Sequence, residues 1–270
     1  MLEIKNISKT FHAGTPNEVR ALRQVNLVLE KGSFVIIIGS NGSGKSTTLN
    51  AVAGTFFVDS GSILLAGKDI TSKHEYQRAK WIGRVFQNPF SGTAPNMSIE
   101  ENLALATRRG FPRGLGWALS KSMRQQLMDR VRKLNMGLEN RLANPIGTLS
   151  GGQRQALTLL MATWVKPEML LLDEHTAALD PKSADQVIQL SKEIIEQDHL
   201  TTLMVTHSMQ QAVNLGDRLI MMHKGKVIHD LSGPEKKRLK VDDLLSRFQE
   251  IRRKDLMDES TADLLKRRYI

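Results

Sequence analysis

The sequence Gly39-Ser-Asn-Gly-Ser-Gly-Lys-Ser46, followed by Thr47, decides the fold of this chain. It has the pattern G-x-x-x-x-G-K-S of a phosphate-binding loop, or P-loop. The apolar and largely β-branched run Phe34–Ile38 precedes it and predicts a buried strand. Residues 48–53 follow it and predict a helix. Strand, loop and helix therefore occur in the order that a P-loop requires.

The residues of this loop suit a polyphosphate ligand. Gly42 and Gly44 allow a tight turn that brings successive backbone N–H groups toward one anion. The positive end of the following helix points to the same place. Lys45 adds a full charge at the β- and γ-phosphates, and the Ser46 hydroxyl can ligate Mg²⁺. A glycine-rich turn without a ligand is the alternative, but the flanking strand and helix favour nucleotide binding. The residues expected to contact the nucleotide are Gly39, Ser40, Asn41, Gly42, Ser43, Gly44, Lys45, Ser46 and Thr47.

Length and composition limit the possible classes of protein. With 270 residues the chain can form one large domain and a small subdomain. No run approaches the roughly 20 apolar residues of a membrane span, and the first residues do not resemble a signal peptide. We therefore expect that the chain does not cross a membrane by itself. The absence of cysteine excludes disulfides and thiolate zinc sites, and it fits a reducing cytosol.

The net charge of +10 is compatible with nucleic acid, an anionic membrane surface or a nucleotide as partner. Between Thr107 and Asn135 the only acidic residue is Asp129. This basic stretch predicts either a solvated helical face or a surface close to a membrane, and the sequence leaves both open. Its basic residues are Arg108, Arg109, Arg113, Lys121, Arg124, Arg130, Arg132 and Lys133.

The first part of the chain predicts two strands, at residues 2–7 and 25–29, with Phe11 in the loop between them. The Phe11 ring, which lies upstream of the phosphate site in the sequence, could stack on adenine, or it could pack under its own loop. Residues 62–65 and 81–86 predict two further strands, and the second runs into Gln87. Residues 88–95 are rich in Pro, Gly, Ser and Thr and predict a loop.

The middle of the chain predicts an all-helical insertion. Helical periodicity covers residues 98–107 and about 121–135, and the Gly/Pro-rich residues 110–116 separate the two segments. Ser98 followed by Glu101 has the capping-box pattern of a helix start. We therefore expect a separate helical subdomain here.

Two further motifs carry chemistry. Leu149-Ser-Gly-Gly-Gln153 leads into a predicted helix and offers a second anion-binding geometry. The buried strand predicted at residues 169–172 ends in Asp173 and Glu174, at the strand end where α/β sheets place their chemistry. Asp173 is placed to hold Mg²⁺, and Glu174 to accept a proton from attacking water. Residues 201–206 predict another strand of this kind, and His207 follows it. We expect His207 to hydrogen-bond a γ-phosphate.

Together these motifs resemble the nucleotide-binding subunit of an ATP-binding cassette (ABC) transporter over roughly residues 1–230. Walker A corresponds to Gly39–Thr47, the signature to Leu149–Gln153, and Walker B to Met169–Asp173. The intact signature is the discriminating element, because kinases and GTPases with P-loops lack it. The resemblance further implies that Gln87 is the Q-loop glutamine, that residues 178–180 form the D-loop, and that Phe11 stacks on adenine.

The resemblance implies a head-to-tail dimer that holds two ATP molecules between its chains, with Mg²⁺ as cofactor. Ser150, Gly151, Gly152 and Gln153 of one copy would close the P-loop of the other. The implied catalytic residues are Glu174, His207, Gln87 and Lys45, and the implied metal-binding residues are Ser46, Gln87 and Asp173. ATP would close the dimer, and hydrolysis would let it open.

The expected fold is α/β, a RecA-like P-loop NTPase core with an antiparallel β subdomain and an inserted all-helical subdomain. Residues 1–87 and 159–230 would form the ATP-binding core, residues 88–158 the helical subdomain, and residues 231–270 a C-terminal helical extension. In that extension, residues 241–251 have apolar positions at helical spacing and predict a closing helix. The basic clusters at 252–254 and 266–268 fit a frayed terminus, a dimer contact or a lipid-facing surface.

The resemblance implies an importer ATPase on the cytoplasmic face of the inner membrane. Its partners would be a second cassette, a membrane permease and, indirectly, an extracytoplasmic solute-binding protein. A soluble ABC-type ATPase acting on nucleic acid or ribosomes is the alternative; such proteins commonly carry tandem cassettes, coiled-coil insertions or zinc cysteines, which are absent here. A non-enzymatic binder is disfavoured because Glu174 and His207 are both present.

Three positions depart from the commonest pattern of the family. His175 replaces a frequent proline, Ala177 a frequent serine, and Ser208 a frequent acid. None of these changes removes a catalytic group. Residues 173–180 resemble an importer subgroup linked to aromatic amino acid uptake.

Overall fold

The structure is a computed structural model that describes residues 1–111, 119–251 and 253. Its strands are β1 (Leu2–Phe11), β2 (Val19–Leu29), β3 (Phe34–Gly39), β4 (Ser60–Leu65), β5 (Lys68–Asp69), β6 (Ile82–Val85), β7 (Met169–Asp173), β8 (Thr202–Val205), β9 (Arg218–His223) and β10 (Lys226–Ser232). Its helices are α1 (Lys45–Ala53), α2 (Glu75–Arg78), α3 (Ile99–Thr107), α4 (Lys121–Arg132), α5 (Gly151–Thr163), α6 (Pro181–Asp198), α7 (Met209–Asn214) and α8 (Gly233–Arg238). Residues 241–251 are also helical.

The P-loop strand β3 lies inside a six-stranded sheet with the order β10-β9-β3-β8-β7-β6. Neighbouring strands from β9 to β6 are parallel, and β10 is the antiparallel edge. Every residue of β3 is buried, and alternate residues belong to two different core clusters: Val35 and Ile37 to one, Ile36 and Ile38 to the other. Both faces of the sheet are therefore covered, which explains the uninterrupted apolar sequence of β3.

A second, antiparallel sheet has the order β2-β1-β4-β5. Leu2, Ile4 and Ile7 of β1 share one buried cluster with Leu49 and Val52 of α1. This sheet therefore packs over the P-loop helix and helps to hold it. The predicted combination of an α/β core with an antiparallel β subdomain is confirmed.

The predicted helical insertion is present as α3 and α4. The Ser98 hydroxyl accepts a hydrogen bond from the Glu101 backbone N–H (3.2 Å), and the Glu101 carboxylate accepts one from the Ser98 N–H (2.7 Å), so the predicted capping box forms. Ile99 and Leu127 share a buried cluster with Leu157 of α5. Helix α5 spans residue 158, where the predicted helical subdomain ends, so that division of the chain stays a prediction.

The basic stretch of the insertion is not simply a solvated face. Arg109 donates to the carbonyl oxygens of Ala162, at 2.6 Å, and Val165, beside the end of α5. Arg124 pairs with Glu100 at 2.5 Å, and the Arg130 guanidinium lies 4.2 Å from the centre of the Trp164 ring. These three arginines therefore tie α3, α4 and α5 together. Arg113 lies outside the described residues.

The end of the chain begins as predicted. Within the helical residues 241–251, Leu244 is fully buried, and Phe248 and Ile251 pack against the same core cluster. The basic clusters at 252–254 and 266–268 lie outside the described residues, apart from Arg253. Among the helices that the structure describes, none combines the length and apolarity of a membrane span.

The structure differs from the sequence-based expectations at the end of β1 and in some elements that the sequence did not predict. Phe11 was expected in a loop, but it is the last residue of β1 and pairs with Val19, because the antiparallel ladder with β2 continues through several irregularities. Helix α6 and the hairpin β9–β10 were not predicted. Asp180 followed by Pro181 was a usable signal for α6, since the Asp180 carboxylate caps the helix and proline occupies its first turn.

Candidate nucleotide site

The phosphate-binding loop is formed by a close approach between two strands. A Cβ atom added to Gly39 would lie 2.3 Å from the carbonyl oxygen of Met222 and 2.5 Å from the Ser43 hydroxyl. Gly44 precedes α1 with a φ of 101°, and a Cβ there would lie 2.8 Å from the Ala21 carbonyl oxygen. A side chain at either position would force the loop or the atoms that it contacts to shift.

Lys45 bends back over this loop. Its ammonium group donates to the carbonyl oxygens of Gly39 (2.9 Å) and Ser40 (3.1 Å). Burial lowers its pKa, and the nearby carboxylates of Glu174 and Asp173 oppose that shift. The Ser43 hydroxyl is also buried and has no partner among the described residues. A buried cation beside an unpaired hydroxyl fits an anionic ligand such as a polyphosphate.

Ser46 and Asp173 form an oxygen-rich pair beside Lys45. The Ser46 hydroxyl donates to one oxygen of Asp173 over 3.4 Å, and the Arg84 guanidinium lies 3.7 Å from the other. Burial raises the pKa of Asp173, while Arg84, Ser46 and Lys45 act in the opposite direction. One hydroxyl and one carboxylate, completed by water and phosphate oxygens, are the kind of ligand set that Mg²⁺ takes at nucleotide sites.

Three predicted catalytic residues meet where β7 and β8 end. One carboxylate oxygen of Glu174 lies 2.7 Å from Nε2 of His207, and the other accepts a hydrogen bond from the Gln87 amide over 3.3 Å. Glu174 has a φ of 45°, which is uncommon for a residue with a side chain. Its backbone N–H donates to the Val205 carbonyl oxygen at 2.9 Å, so the loop after β7 stays attached to β8.

The second glycine-rich motif begins helix α5. The Ser150 hydroxyl accepts a hydrogen bond from the Gln153 backbone N–H, and the Gln153 amide oxygen accepts one from the Ser150 N–H, both at 3.3 Å. A Cβ atom at Gly152 would lie 2.7 Å from the Ser183 Cβ of α6. The motif therefore has a rigid helix start and a close contact to α6.

The sequence pattern of the family described as ABC transporter matches residues 22–177. The chain belongs to this family. A tyrosine transport ATP-binding protein of Clostridioides difficile (strain R20291) is 44% identical over 251 residues, which cover 92% of this chain and 99% of that protein. A sulfate/thiosulfate import ATP-binding protein of Thermosynechococcus vestitus is 36% identical over 84% of this chain and 62% of its own.

Solved ABC cassettes have the same fold. A dimeric cassette in a post-hydrolysis state with ADP and Pi matches with a TM-score of 0.74 and 29% identity, over 86% of this chain and 98% of that chain. A nucleotide-free cassette from an ABC transporter matches with a TM-score of 0.72 and 27% identity, over 91% and 95% of the two chains. This chain is therefore an ATP-hydrolysing ABC transporter subunit.

The ring expected to stack on adenine has a neighbour of its own in this ABC subunit. Phe11 is half-buried and forms a T-shaped ring contact with Phe56, with 5.2 Å between the ring centres. The Lys9 ammonium lies 5.7 Å from the centre of the Phe11 ring. Stacking of Phe11 on adenine stays a prediction.

Sequence reasoning missed two side chains close to the predicted site of this ABC subunit. Arg84 of β6 reaches Asp173, as well as the side chains of Asn50 and Thr55. Gln155 of α5 is fully buried and donates to the Phe86 carbonyl oxygen, one residue before Gln87. An arginine inside a strand predicted as buried was a signal for the first, whereas nothing in the sequence pairs residue 155 with residue 86.

One departure from the family pattern has a structural explanation. His175 is buried, and its Nε2 lies 3.0 Å from the Ser191 hydroxyl of α6. That hydroxyl donates its proton to the Val187 carbonyl oxygen at 2.7 Å, so the Nε2–H of His175 must be the donor to Ser191. Burial lowers the pKa of His175 to about 4, so the imidazole is neutral at pH 7.

Proposed function

We propose that this ATPase powers solute import through a separate membrane permease and that Glu174 activates the attacking water. The observation that carries the catalytic assignment is the Glu174 carboxylate, held between His207 and Gln87 at the sheet edge next to the P-loop. Import is named for the sulfate/thiosulfate relative, and transport is named for the tyrosine relative.

Each residue of the proposed mechanism acts on a different part of the nucleotide. Lys45 and the backbone N–H groups of the P-loop hold the β- and γ-phosphates, because they form a cationic, donor-rich cradle. Ser46 and Asp173, with help from Gln87, would hold Mg²⁺, which would supply positive charge beside the phosphate oxygens. Glu174 takes a proton from the attacking water, and His207 donates a hydrogen bond to the γ-phosphate.

We further propose that ATP binds between two copies of the chain. Gly151 and Gly152 have the unpaired backbone N–H groups of the first turn of α5, and together with Ser150 they would cover the γ-phosphate held by the partner's P-loop. A solved relative with this fold is dimeric. Closing on ATP and opening after hydrolysis would then be the movement that drives the permease.

A groove beside the helical insertion is the proposed permease contact. It has a volume of about 1130 Å³, and its lining includes Tyr76, Leu105 and Phe111. These three side chains are 76%, 59% and 60% exposed, an unusual amount of apolar surface for one groove. A permease helix or loop seated there would bury it, and it would hold the subunit on the cytoplasmic face of the cell membrane.

The proposed cargo is an aromatic amino acid, with tyrosine as the first candidate. The 44% identity to a tyrosine transport ATP-binding protein supports this choice, as does the resemblance of residues 173–180. In vesicles containing the purified complex, ATP-dependent uptake of labelled tyrosine is expected, and sulfate is the control solute. Uptake of sulfate without tyrosine would reject this cargo.

The permease can be tested without knowing the cargo. Affinity purification of the tagged chain from detergent-treated membranes should recover a hydrophobic permease and a second cassette subunit in stoichiometric amounts. A chain that recovers no membrane protein, and whose ATPase activity rises with DNA or RNA in a salt-sensitive way, would instead support the nucleic-acid alternative.

The general base is tested by Glu174→Gln. This variant should bind ATP, accumulate as closed dimers and lose turnover by roughly 100-fold or more, because the amide cannot accept the proton from water. Phosphate release and size-exclusion chromatography with ATP measure the two effects. Glu193→Gln, an exposed change on α6, is the matched control. Normal hydrolysis by Glu174→Gln would show that another group is the base.

A further inference from the structure

The proposed base and the proposed γ-phosphate ligand stand on two separate loops. β7 and β8 are parallel neighbours with Asp173 opposite Val205, so Glu174 and Thr206 leave the sheet side by side. The 2.7 Å contact between Glu174 and His207 depends on the distance between these loops. The His207 side chain is 46% exposed, so packing around its ring does not fix that distance.

The side chain of Gln211, in α7, spans the gap between the two loops. Its amide oxygen accepts a hydrogen bond from the Thr206 hydroxyl at 2.6 Å. Its amide nitrogen donates to the Thr176 hydroxyl at 3.3 Å. Thr206 directly precedes His207, and Thr176 follows Glu174 by two residues. One amide group therefore connects the His207 loop to the Glu174 loop.

The hydrogen bonds around this amide give it one orientation. The Thr206 hydroxyl accepts from the Ser208 backbone N–H at 3.1 Å, which leaves its own proton for the Gln211 oxygen. The Gln211 backbone N–H donates to the Ser208 hydroxyl at 3.3 Å, so the start of α7 holds the glutamine backbone as well. With its oxygen toward Thr206, the amide can only turn its NH₂ group toward Thr176.

The Glu174 loop is anchored on its other side too. Between Glu174 and Thr176, the buried His175 side chain donates to Ser191 of α6 over 3.0 Å. Gln211 and His175 thus hold the same short segment from α7 and α6. A segment held from two sides can keep the left-handed backbone of Glu174, whose φ is 45°.

We propose that Gln211 is a positioning residue for ATP hydrolysis, which sets the distance between Glu174 and His207 by bridging Thr206 and Thr176. Gln211 touches neither the nucleotide nor the water in this assignment; it acts through the two loops. The inference rests on the proposed roles of Glu174 and His207. Loss of the bridge should therefore lower kcat while ATP binding, which uses the P-loop, remains.

The test compares Gln211→Leu and Thr176→Val with their double variant, in the full-length chain. Each single change should lower kcat by roughly 10- to 100-fold, the effect of a misplaced catalytic group, with KM for ATP changed by about twofold or less. The double variant should lose little more than either single one, because both remove the same bridge. Thr176→Ser keeps the hydroxyl and should retain activity.

Gln210→Leu is the matched control, since Gln210 is an exposed glutamine in the same helix. Thermal unfolding is followed for every variant. If Gln211→Leu does not fold, the pair Thr176→Val and Thr176→Ser still decides, because only the hydroxyl distinguishes them. Normal kcat in Thr176→Val, fully multiplicative losses in the double variant, or losses confined to KM would each overturn the bridge.

Glu174→Gln is measured alongside to separate the two claims. Lost turnover in Glu174→Gln with normal turnover in Gln211→Leu and Thr176→Val overturns only the bridge. Normal turnover in Glu174→Gln overturns the proposed base, and with it the reason for the bridge.

Discussion

Gly39 stands where β3 ends and the P-loop begins, and its lack of a side chain is a steric requirement. The hydrogen atom in place of Cβ lets the backbone pass close to the Met222 carbonyl oxygen of β9 and to the Ser43 hydroxyl. The same backbone carries one of the two carbonyl oxygens that hold Lys45. The position of the ammonium group therefore depends on this contact between two strands.

Gly39→Ala should weaken ATP binding by at least roughly 10-fold, because relieving contacts of 2.3 and 2.5 Å must move the loop or the side chain of Ser43. Titration with a fluorescent ATP analogue measures the change. Gly67→Ala is the control: Gly67 also has a positive φ, of 75°, but the space around it is open. Unchanged binding in Gly39→Ala would mean that the loop adapts freely.

At the level of single residues, the sequence predicts those functional residues whose role follows from their immediate neighbours in the sequence. Lys45 follows a glycine-rich turn, and Glu174 follows a buried strand, so strand and loop assignments place both at one sheet edge. Arg84 and Gln211 escape such reasoning, because each acts on residues that are distant in sequence. Their partners depend on which strands become neighbours, and no local pattern states that.

One buried side chain, that of Arg78, supplies hydrogen-bond donors to the end of the P-loop helix α1. Arg78 is buried and donates to the carbonyl oxygens of Ala51 and Val52, in the last turn of α1, both at 2.8 Å. It donates further to the Lys73 and Thr71 carbonyl oxygens, at 2.8 and 3.0 Å. Burial lowers the pKa of Arg78 to about 10, so it remains charged at pH 7 and faces the negative end of the helix.

Arg78→Lys should destabilise the protein by about 1.5–3 kcal/mol, because one ammonium cannot replace the planar fork that serves four carbonyl groups. Urea unfolding of the full-length chain measures the loss. Arg23→Lys, at an exposed position of β2, should change the unfolding midpoint little. Equal midpoints for the two variants would contradict the role given to the fork.

Strands and helices can be predicted where burial or capping produces a clear pattern in the sequence. β3 and β7 are covered on both faces and have continuous apolar sequences, and α3 begins with a capping box, so all three were predictable. The end of β1 was not, because Thr10 and Phe11 extend the ladder through irregular pairing with β2. The hairpin β9–β10 has only partial burial on its edge strand, which weakens its pattern.

At the scale of the whole molecule, the helix formed by residues 241–251 contacts both the six-stranded sheet and the region of the P-loop. Leu244 belongs to the core cluster that also contains Ile36 and Ile38 of β3. On the same helix, Leu245 and Phe248 line a cavity of about 510 Å³ that extends to Ser40 and His207. The helix therefore supports the back of the strand that ends in the P-loop and also borders the proposed catalytic edge.

Leu244→Ala should lower the free energy of unfolding by about 2–5 kcal/mol, the range for a buried leucine whose removal leaves a cavity in a shared core. The adjacent Leu245→Ala should cost about 1 kcal/mol or less, because Leu245 is 44% exposed. Chemical unfolding of both variants in the full-length chain gives the comparison. If the helix were a detachable extension, both leucines would tolerate alanine equally. A large loss confined to Leu244→Ala would instead show that residues 241–251 are part of the fold that holds the P-loop strand in place.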